Sequence, residues 1–485
     1  VRYALSMAIV GTLFAFTLHS THAAPNLVMI VVDDLGWADV GANNPETFYE
    51  TPSIDRLAAS GVRFTNAYAT CPVCSPSRYS LLTGRYPARA YVTDWFTGDR
   101  TGRFSHAPYE SRLPANEFTI AEALKEAGYR TFFAGKWHLG HAEEDWPEHH
   151  GFEVNRGGHG AGSPPGGYFA PYKNPCLAEG PAGEHLPRRL ARATCDFIEA
   201  HQEGPFFACL WFYEVHNPRQ APEELIEKYR SKAAKLGLDP KGSFKTCEQV
   251  WPVKAARHVR VEQSQPEYAA MVESMDIAVG TVLDKLAALG LDDDTNVVFT
   301  SDNGGLSTAE GLNTSNLPLA GGKGWLYEGG VRVPLIVRSP AATSKPGSVC
   351  DAPTTATDLY PTSLALLGLA PRPDQHLDGV SMAPLLKDER IERGPMYWHY
   401  PHYSNQGGFP GSAMRDGRWK LIQRHEDGRV HLYDLESDIA EQQDLVEEQP
   451  ERVAQMLEQL EAWRLEVDAR FLEPKGGNKP WRPGG

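Results

Sequence analysis

The segment Cys74-Ser75-Pro76-Ser77-Arg78 sets a nucleophile, a cation and helix-start residues side by side, and Leu82-Thr83-Gly84-Arg85 follows it. Ser75 suits a helix N-cap and Pro76 the first helical position, with Ser77 to Leu82 continuing the helix. Cys74 then lies just ahead of a helix N-terminus, where unpaired N–H groups and the helix dipole favour negative charge. Arg78, one turn in, can point a cation back toward position 74. Such a place suits a nucleophile that handles an anion. Two other readings fit the same residues. Cys71-Pro72-Val73-Cys74 has the spacing of a redox or zinc motif, although no second such pair exists to complete a zinc site. A buried structural cysteine is the plainest alternative.

Partners for Cys74 must be delivered by the elements around it. Several apolar, β-type runs stop at polar clusters. Asn26 to Val32 runs into Asp33-Asp34, and Tyr129 to Ala134 runs into Gly135-Lys136-Trp137-His138. Phe206 to Phe212 runs toward His216, and Asn296 to Thr300 runs into Ser301-Asp302-Asn303. Near-continuous apolar runs suit strands covered on both faces. Helical patterns lie between them: Thr51 to Ser60, stopped by Gly61, then Thr119 to Ala127 and Glu267 to Leu289. The alternation predicts an α/β sandwich around a large, mostly parallel sheet. Ligands bind beyond the carboxyl ends of such strands, so the clusters are expected to converge on one cleft. Taken singly, an Asp pair is equally at home in a turn or helix cap, and a lysine on the surface.

Together these segments resemble the formylglycine-dependent sulfatases, the type I, arylsulfatase A-like branch of the alkaline phosphatase superfamily. The resemblance rests on Cys74 to Arg78, Gly135-Lys-Trp-His-Leu-Gly140, Gly321-Gly-Lys-Gly324 and Glu328-Gly-Gly-Val-Arg332-Val-Pro334. It extends to Asp416-Gly-Arg-Trp-Lys-Leu-Ile422 and Leu432-Tyr-Asp-Leu435. It implies the alkaline-phosphatase-like fold and hydrolysis of sulfate monoesters. It also implies that Cys74 is oxidised to 3-oxoalanine (formylglycine). The aldehyde hydrate has two hydroxyls: one attacks sulfur, and the other expels sulfate and restores the aldehyde. A plain thiol would be left carrying the sulfated adduct. Arg78 would hold the hydrate. Asp33, Asp34, Asp302 and Asn303, with an oxygen from residue 74, match the family's metal ligands; such an all-oxygen shell suits Ca2+ better than Mg2+. Lys136 and Lys323 would bind the sulfate and leaving-group oxygens. His138 would assist breakdown as base, and His216 would serve the leaving group as general acid. His159, in a Gly-rich loop, and His402, among the aromatics of 398–403, are candidate substrate contacts. The implied substrates are carbohydrate sulfates or aryl sulfates, and the implied maturation partner is a formylglycine-generating enzyme or an anaerobic maturase.

Two rival readings share these residues: a phosphonate or phosphate ester hydrolase on the same fold, and an inactive protein that binds sulfated glycans. Composition narrows the field further. The 485 residues carry a formal net charge of −15, with no basic tract, which excludes nucleic acid as an expected partner. Residues 1–23 read as a secretory signal peptide, with Arg2, an apolar run to Leu18 and a small-residue cleavage site at Thr21-His22-Ala23. Export to a periplasm or beyond is expected, without membrane attachment. An odd count of 7 cysteines fits one special thiol in such a compartment. The expected organisation is a catalytic unit over 24–386, a small antiparallel sheet with a packing helix over 387–475, and a loose tail over 476–485. Strands are expected at 413–415, 419–423 and 431–434, with a turn at Asp427-Gly428 and a helix from Glu451 to Val467. The Gly- and Pro-rich loops 157–187 and 402–412 are expected to wall the cleft.

Overall fold

The computed structural model describes residues 24–96, 102–248, 250 and 256–483; the expected signal segment lies outside them. Its centre is a sheet of β1 (Asn26–Val32), β2 (Val62–Phe64), β3 (Arg130–Gly135), β4 (Val154–Arg156), β5 (Phe206–Trp211), β6 (Thr295–Ser301), β7 (Leu335–Arg338) and β8 (Ser348–Cys350). The strand order is β8-β2-β7-β6-β1-β5-β3-β4. Only β7 opposes its neighbours; the other pairings are parallel. β1 is central, with Ile30 beside Leu210 of β5 and Phe299 of β6.

Both faces of β1 are buried, and alternate residues serve the two layers. Val28, Ile30 and Val32 pack with helices Leu186–Ala200 and Pro266–Ala288 through Leu190, Ile198, Met271 and Met275. Leu27, Met29 and Val31 face Tyr79, Leu82, Ile120 and Leu364 on the other side. This double burial is why the strands read as unbroken apolar runs. Thr119 opens helix Ile120–Glu126 with a capping box closed by Glu122, and Gly61 ends helix Pro52–Ser60.

The helix that carries the Cys74 signature starts earlier than the sequence suggests. It runs Cys74–Thr83, with extended Val73 at the N-cap position and no side-chain cap. Ser75 is therefore inside the helix. Ser77 closes the entry instead: its hydroxyl accepts from the Cys71 N–H at 3.2 Å and donates to the Cys71 carbonyl at 2.9 Å. Pro76 remains in the first turn, where a missing N–H loses no intrahelical bond. Gly84 terminates the helix at φ 66°, the left-handed geometry that favours glycine.

A second, antiparallel sheet follows: β9 (Met396–Tyr400), β10 (Gly411–Asp416), β11 (Trp419–Arg424) and β12 (Val430–Asp434), in that spatial order. The sequence reading lacked β9. Its Trp398-His399-Tyr400 alternation belongs to a strand whose Trp398 indole donates to the Ala69 carbonyl at 2.7 Å. Helix Pro450–Glu466 covers one face through Met456, Leu460 and Trp463. The other face packs Ala413 and Ile422 against Tyr68, Trp325 and Val331 of the larger unit. The tail is not loose throughout: the Trp481 ring stacks 6.2 Å from that of His425. None of the cysteines is bonded to another. No helix among the described residues is long and apolar enough to cross a membrane.

Candidate active site

The polar clusters meet at one end of the large sheet. β1 delivers Asp33 and Asp34, β3 delivers Lys136 and His138, β5 leads to His216, and β6 delivers Asp302 and Asn303. Helix Cys74–Thr83 enters from the side. The connection between β6 and β7 brings Lys323 across the top; its N–H is tied to the Gly305 carbonyl at 3.0 Å, and the Gly324 N–H to the Pro72 carbonyl at 2.8 Å. Two site residues hold left-handed backbone, Asp34 at φ 63° and His138 at φ 56°. Such conformations are unfavourable outside glycine and cluster where geometry serves function.

Buried cations and carboxylates interlock. The Arg78 guanidinium donates to Asp302 Oδ2 at 2.8 Å and to the Lys136 carbonyl at 2.6 Å. Its other nitrogen is 3.6 Å from Asp33 Oδ1, and its charged plane lies 5.4 Å from the centre of the Trp211 ring. Lys136 Nζ reaches Asp33 Oδ2 at 2.5 Å, and Lys323 Nζ reaches Asp34 Oδ2 at 2.8 Å. Burial alone would raise the Asp34 pKa, but the Lys323 and Lys136 ammonium groups outweigh it and hold the carboxyl well below its usual range. Burial also drags against the Lys323 ammonium, and Asp34 overcomes it, so Lys323 stays charged. At Asp302 burial prevails over Arg78, and the carboxyl is pushed up to about 6. Burial raises the Cys74 thiol against the pull of Lys136 and Lys323.

The two histidines are held neutral. Burial, then Lys136 and Arg78, press the His138 imidazole well below its ordinary range. Burial and Lys323 bring His216 down to about 4. His216 Nδ1 is 2.8 Å from the Asn217 carbonyl, which leaves Nε2 facing Asp34 Oδ2 at 3.9 Å.

The oxygen set is one a hard cation would take. One oxygen of Asp33, one of Asp302 and the Cys74 sulfur lie within 4.8 Å of one another. Two acceptor oxygens, Asp33 Oδ1 and Asn303 Oδ1, are buried without a hydrogen-bond donor. Asn303 Nδ2 donates to Asp34 Oδ1 at 2.9 Å, which turns its amide oxygen the other way. Buried acceptors are rarely left without a partner, and carboxylate and amide oxygens are the ligands of Ca2+ and Mg2+. The residues therefore fit a divalent cation.

A cavity of about 280 Å³ opens over this floor. Cys74, His138, His216 and Lys323 line it. Lys136, Arg78 and the acidic cluster lie beneath, fully buried. Loop 157–187 contributes Gly160 to Ser163, and loop 402–412 contributes Asn405 and Gln406. Gly162 is there for closeness: a Cβ on it would fall 2.7 Å from the His138 ring. His159 and His402 do not line the cavity. His159 is buried behind the wall with Nδ1 accepting from the Ala161 N–H at 3.3 Å. His402 is buried at 2.8 Å from Thr93 Oγ1 and 3.8 Å from Asp94. Sequence reasoning did not identify Trp95, Phe96, His141 and Glu310, which also line it; no local pattern marks them, because they arrive on separate loops.

A buried acidic cluster that fits a divalent cation, interlocked with buried cations at the carboxyl ends of such a sheet, matches an alkaline-phosphatase-like hydrolase of ester anions. A family model described as Sulfatase matches residues 25–369, and one described as N-sulphoglucosamine sulphohydrolase, C-terminal, matches residues 322–466. The N-acetylgalactosamine-6-sulfatase of Mus musculus is 33% identical over 388 residues, covering 77% of this chain and 68% of that protein. A sulfatase of Formosa agariphila is 30% identical over 534 residues, covering 93% and 91%. The solved structure of Ps i-CgsB in complex with k-i-k-neocarrahexaose has a TM-score of 0.72 at 29% identity, covering 91% and 92%. The chain belongs to the sulfatase family and is a sulfuric ester hydrolase.

Proposed function

We propose that this sulfatase hydrolyses sulfate monoesters of carbohydrates, in an exported setting, with Cys74 matured to formylglycine and one Ca2+ bound. The observation that carries the reading is the shared cavity: Cys74, His138, His216 and Lys323 face one space over a buried acidic floor. The substrate class is supported by relatives whose names or complexes specify sulfated or oligomeric sugars. A cavity of about 280 Å³ lies at the small end of ligand pockets and fits a group of monosaccharide scale.

Formylglycine would supply a gem-diol nucleophile at the helix N-terminus. A Ca2+ held by Asp33, Asp34, Asp302 and Asn303 would supply Lewis-acid polarisation of a sulfate oxygen. The rest falls to the chain itself. Arg78 fixes Asp302 and the Lys136 carbonyl, and its buried charge favours an anion at position 74. Lys323, nearly buried at the cavity lining, presents an ammonium to the sulfate and the developing alkoxide. His138, neutral because of burial and Lys136, can accept a proton beside residue 74. His216 must be protonated to serve as acid, and burial with Lys323 opposes that. A sulfate monoanion seated before it favours the imidazolium and so raises the His216 pKa toward the range an acid needs.

The test pairs maturation with turnover. In active protein, mass spectrometry of the peptide Phe64 to Arg78 should find aldehyde in place of the thiol. Cys74→Ala should abolish release of inorganic sulfate from hexose monosulfates. Full activity with an intact thiol would refute the nucleophile, and preference for the phosphate ester of the same alcohol would refute the sulfate reading.

A further inference from the structure

One carboxylate in the cavity wall has no part in the chemistry above. Glu310 lines the same space as Cys74 and Lys323 and is near enough to raise the Lys323 pKa. Its backbone is left-handed, φ 61°, a strained state for a residue other than glycine. The strain is held by specific contacts. The Glu310 carbonyl accepts from Asn217 Nδ2 at 2.5 Å, one residue from His216. Glu310 Oε1 accepts from the Asn405 amide, and Oε2 accepts from Gln406 Nε2 at 2.5 Å. Both donors are neutral amides, so they aim the carboxylate without pairing its charge; the nearby cation is Lys323.

A carboxylate has room for about four hydrogen bonds, and the two amides leave the rest for a ligand. The cavity is thus polarised, with lysine and arginine at its floor and a free negative charge at its wall. With a dication bound at the floor, a sulfate would be drawn inward. What stands beside the sulfate meets an acceptor.

We propose that Glu310 determines specificity: it accepts a hydrogen bond from a hydroxyl of the sugar that carries the scissile sulfate, and it rejects sugars with a second anionic group at that place. This rests on the carbohydrate-sulfate reading. The preferred substrate is then a monosulfated unit that is otherwise neutral on that side. Repulsion of the wrong ligand, as much as attraction of the right one, sets the choice.

The experiment uses matured, Ca2+-loaded enzyme with a panel of hexose monosulfates, a hexose disulfate and nitrophenyl sulfate, reading kcat/KM for each. Glu310→Gln keeps size and polarity but removes the charge. It should raise the disulfate-to-monosulfate ratio by about tenfold and lower the monosulfate-to-nitrophenyl ratio by about tenfold. Glu310→Asp keeps the charge and should retain the discrimination against disulfate. Unchanged ratios in Glu310→Gln, with wild-type enzyme active on hexose sulfates, would overturn the role of Glu310 alone. Wild-type enzyme that cleaves nitrophenyl sulfate but no hexose sulfate would overturn this inference together with the carbohydrate reading.

Discussion

The loop that carries Lys323 is anchored by a buried charge cluster, and that cluster predicts a pH dependence of stability. Lys420 Nζ in β11 lies 2.9 Å from Glu328 Oε1 and 2.8 Å from Glu441 Oε1, with all three side chains out of solvent. Glu328 also accepts from the Tyr68 hydroxyl at 2.7 Å and pairs with Arg332 at 2.9 Å. Glu441 accepts the Glu328 N–H at 2.6 Å. Burial would raise both carboxyls. At Glu328 the three cations Lys420, Arg332 and Arg415 win and bring it down to about 2. At Glu441 burial wins over Lys420, helped by the neighbouring Glu328 charge, and the carboxyl rises from 4.5 to about 7. The folded protein therefore holds a proton on Glu441 between those values, where the unfolded chain has released it. Stability from this group is full below pH 4.5 and is lost as pH rises toward 7. At about 1.36 kcal/mol per pKa unit, the loss is of order 3 kcal/mol.

Glu441→Gln imitates the protonated state and should remove this dependence. The assay is the melting temperature of wild type and variant from pH 5 to pH 8.5 by scanning fluorimetry, taken as a difference so that other titrating groups cancel. The variant should match wild type or fall slightly below it at pH 5, and exceed it at pH 8. A difference that does not change with pH would refute the reasoning, and so would a gain confined to acid. Lys420→Met makes the opposite change. It leaves two carboxylates with one cation fewer, and loss of one partner from a buried pair costs about 3–5 kcal/mol.

Two further outcomes are expected. Asp302→Ala should lose Ca2+ on gel filtration, measured by elemental analysis, because it removes one of the oxygens grouped with Asp33; full retention would exclude Asp302 as a ligand. His216→Gln should slow sugar sulfates by about 10²–10⁴ and nitrophenyl sulfate far less, since only a poor leaving group needs a proton; equal losses would remove its acid role.

Much of the fold was legible because the sheet is covered on both sides. Burial on two faces makes β1 and β5 near-continuous apolar runs and gives β3 and β6 apolar centres, and each run stops where the chain leaves the core and polar residues begin. Those stops converge on one cavity, so the residues proposed to hold metal and sulfate lie at strand ends that the sequence already marked. The cleft wall was not. Glu310, His141 and Phe96 come from loops that converge only in the folded chain. His159 and His402 sat in suggestive surroundings, yet both turn inward to satisfy buried partners. β9 was missed for a related reason: its aromatic and histidine alternation has the period of a half-buried strand, but it looks equally like a sugar-binding loop. The Glu328 and Asp416 to Ile422 segments were both noticed, while their union through Lys420 depends on tertiary packing that no spacing encodes.

The charges of the site explain how an acidic protein can hold an anion. Asp33, Asp34 and Asp302 face Arg78, Lys136 and Lys323, three negative groups against three positive. With the carboxyls ionised, the chain's own groups balance, and the whole protein carries −15. Nothing in that balance draws in a sulfate monoester. A dication held by Asp33, Asp34, Asp302 and Asn303 would leave the cluster two charges positive, in a buried setting where salt screens weakly. It would also relieve the lysines of part of their duty to the carboxylates. Lys323 is the one that lines the cavity, and its 2.8 Å bond to Asp34 is the contact it would exchange for sulfate. The same carboxylates pair the buried cations, and if they also hold a dication, the attraction of sulfate would depend on that metal.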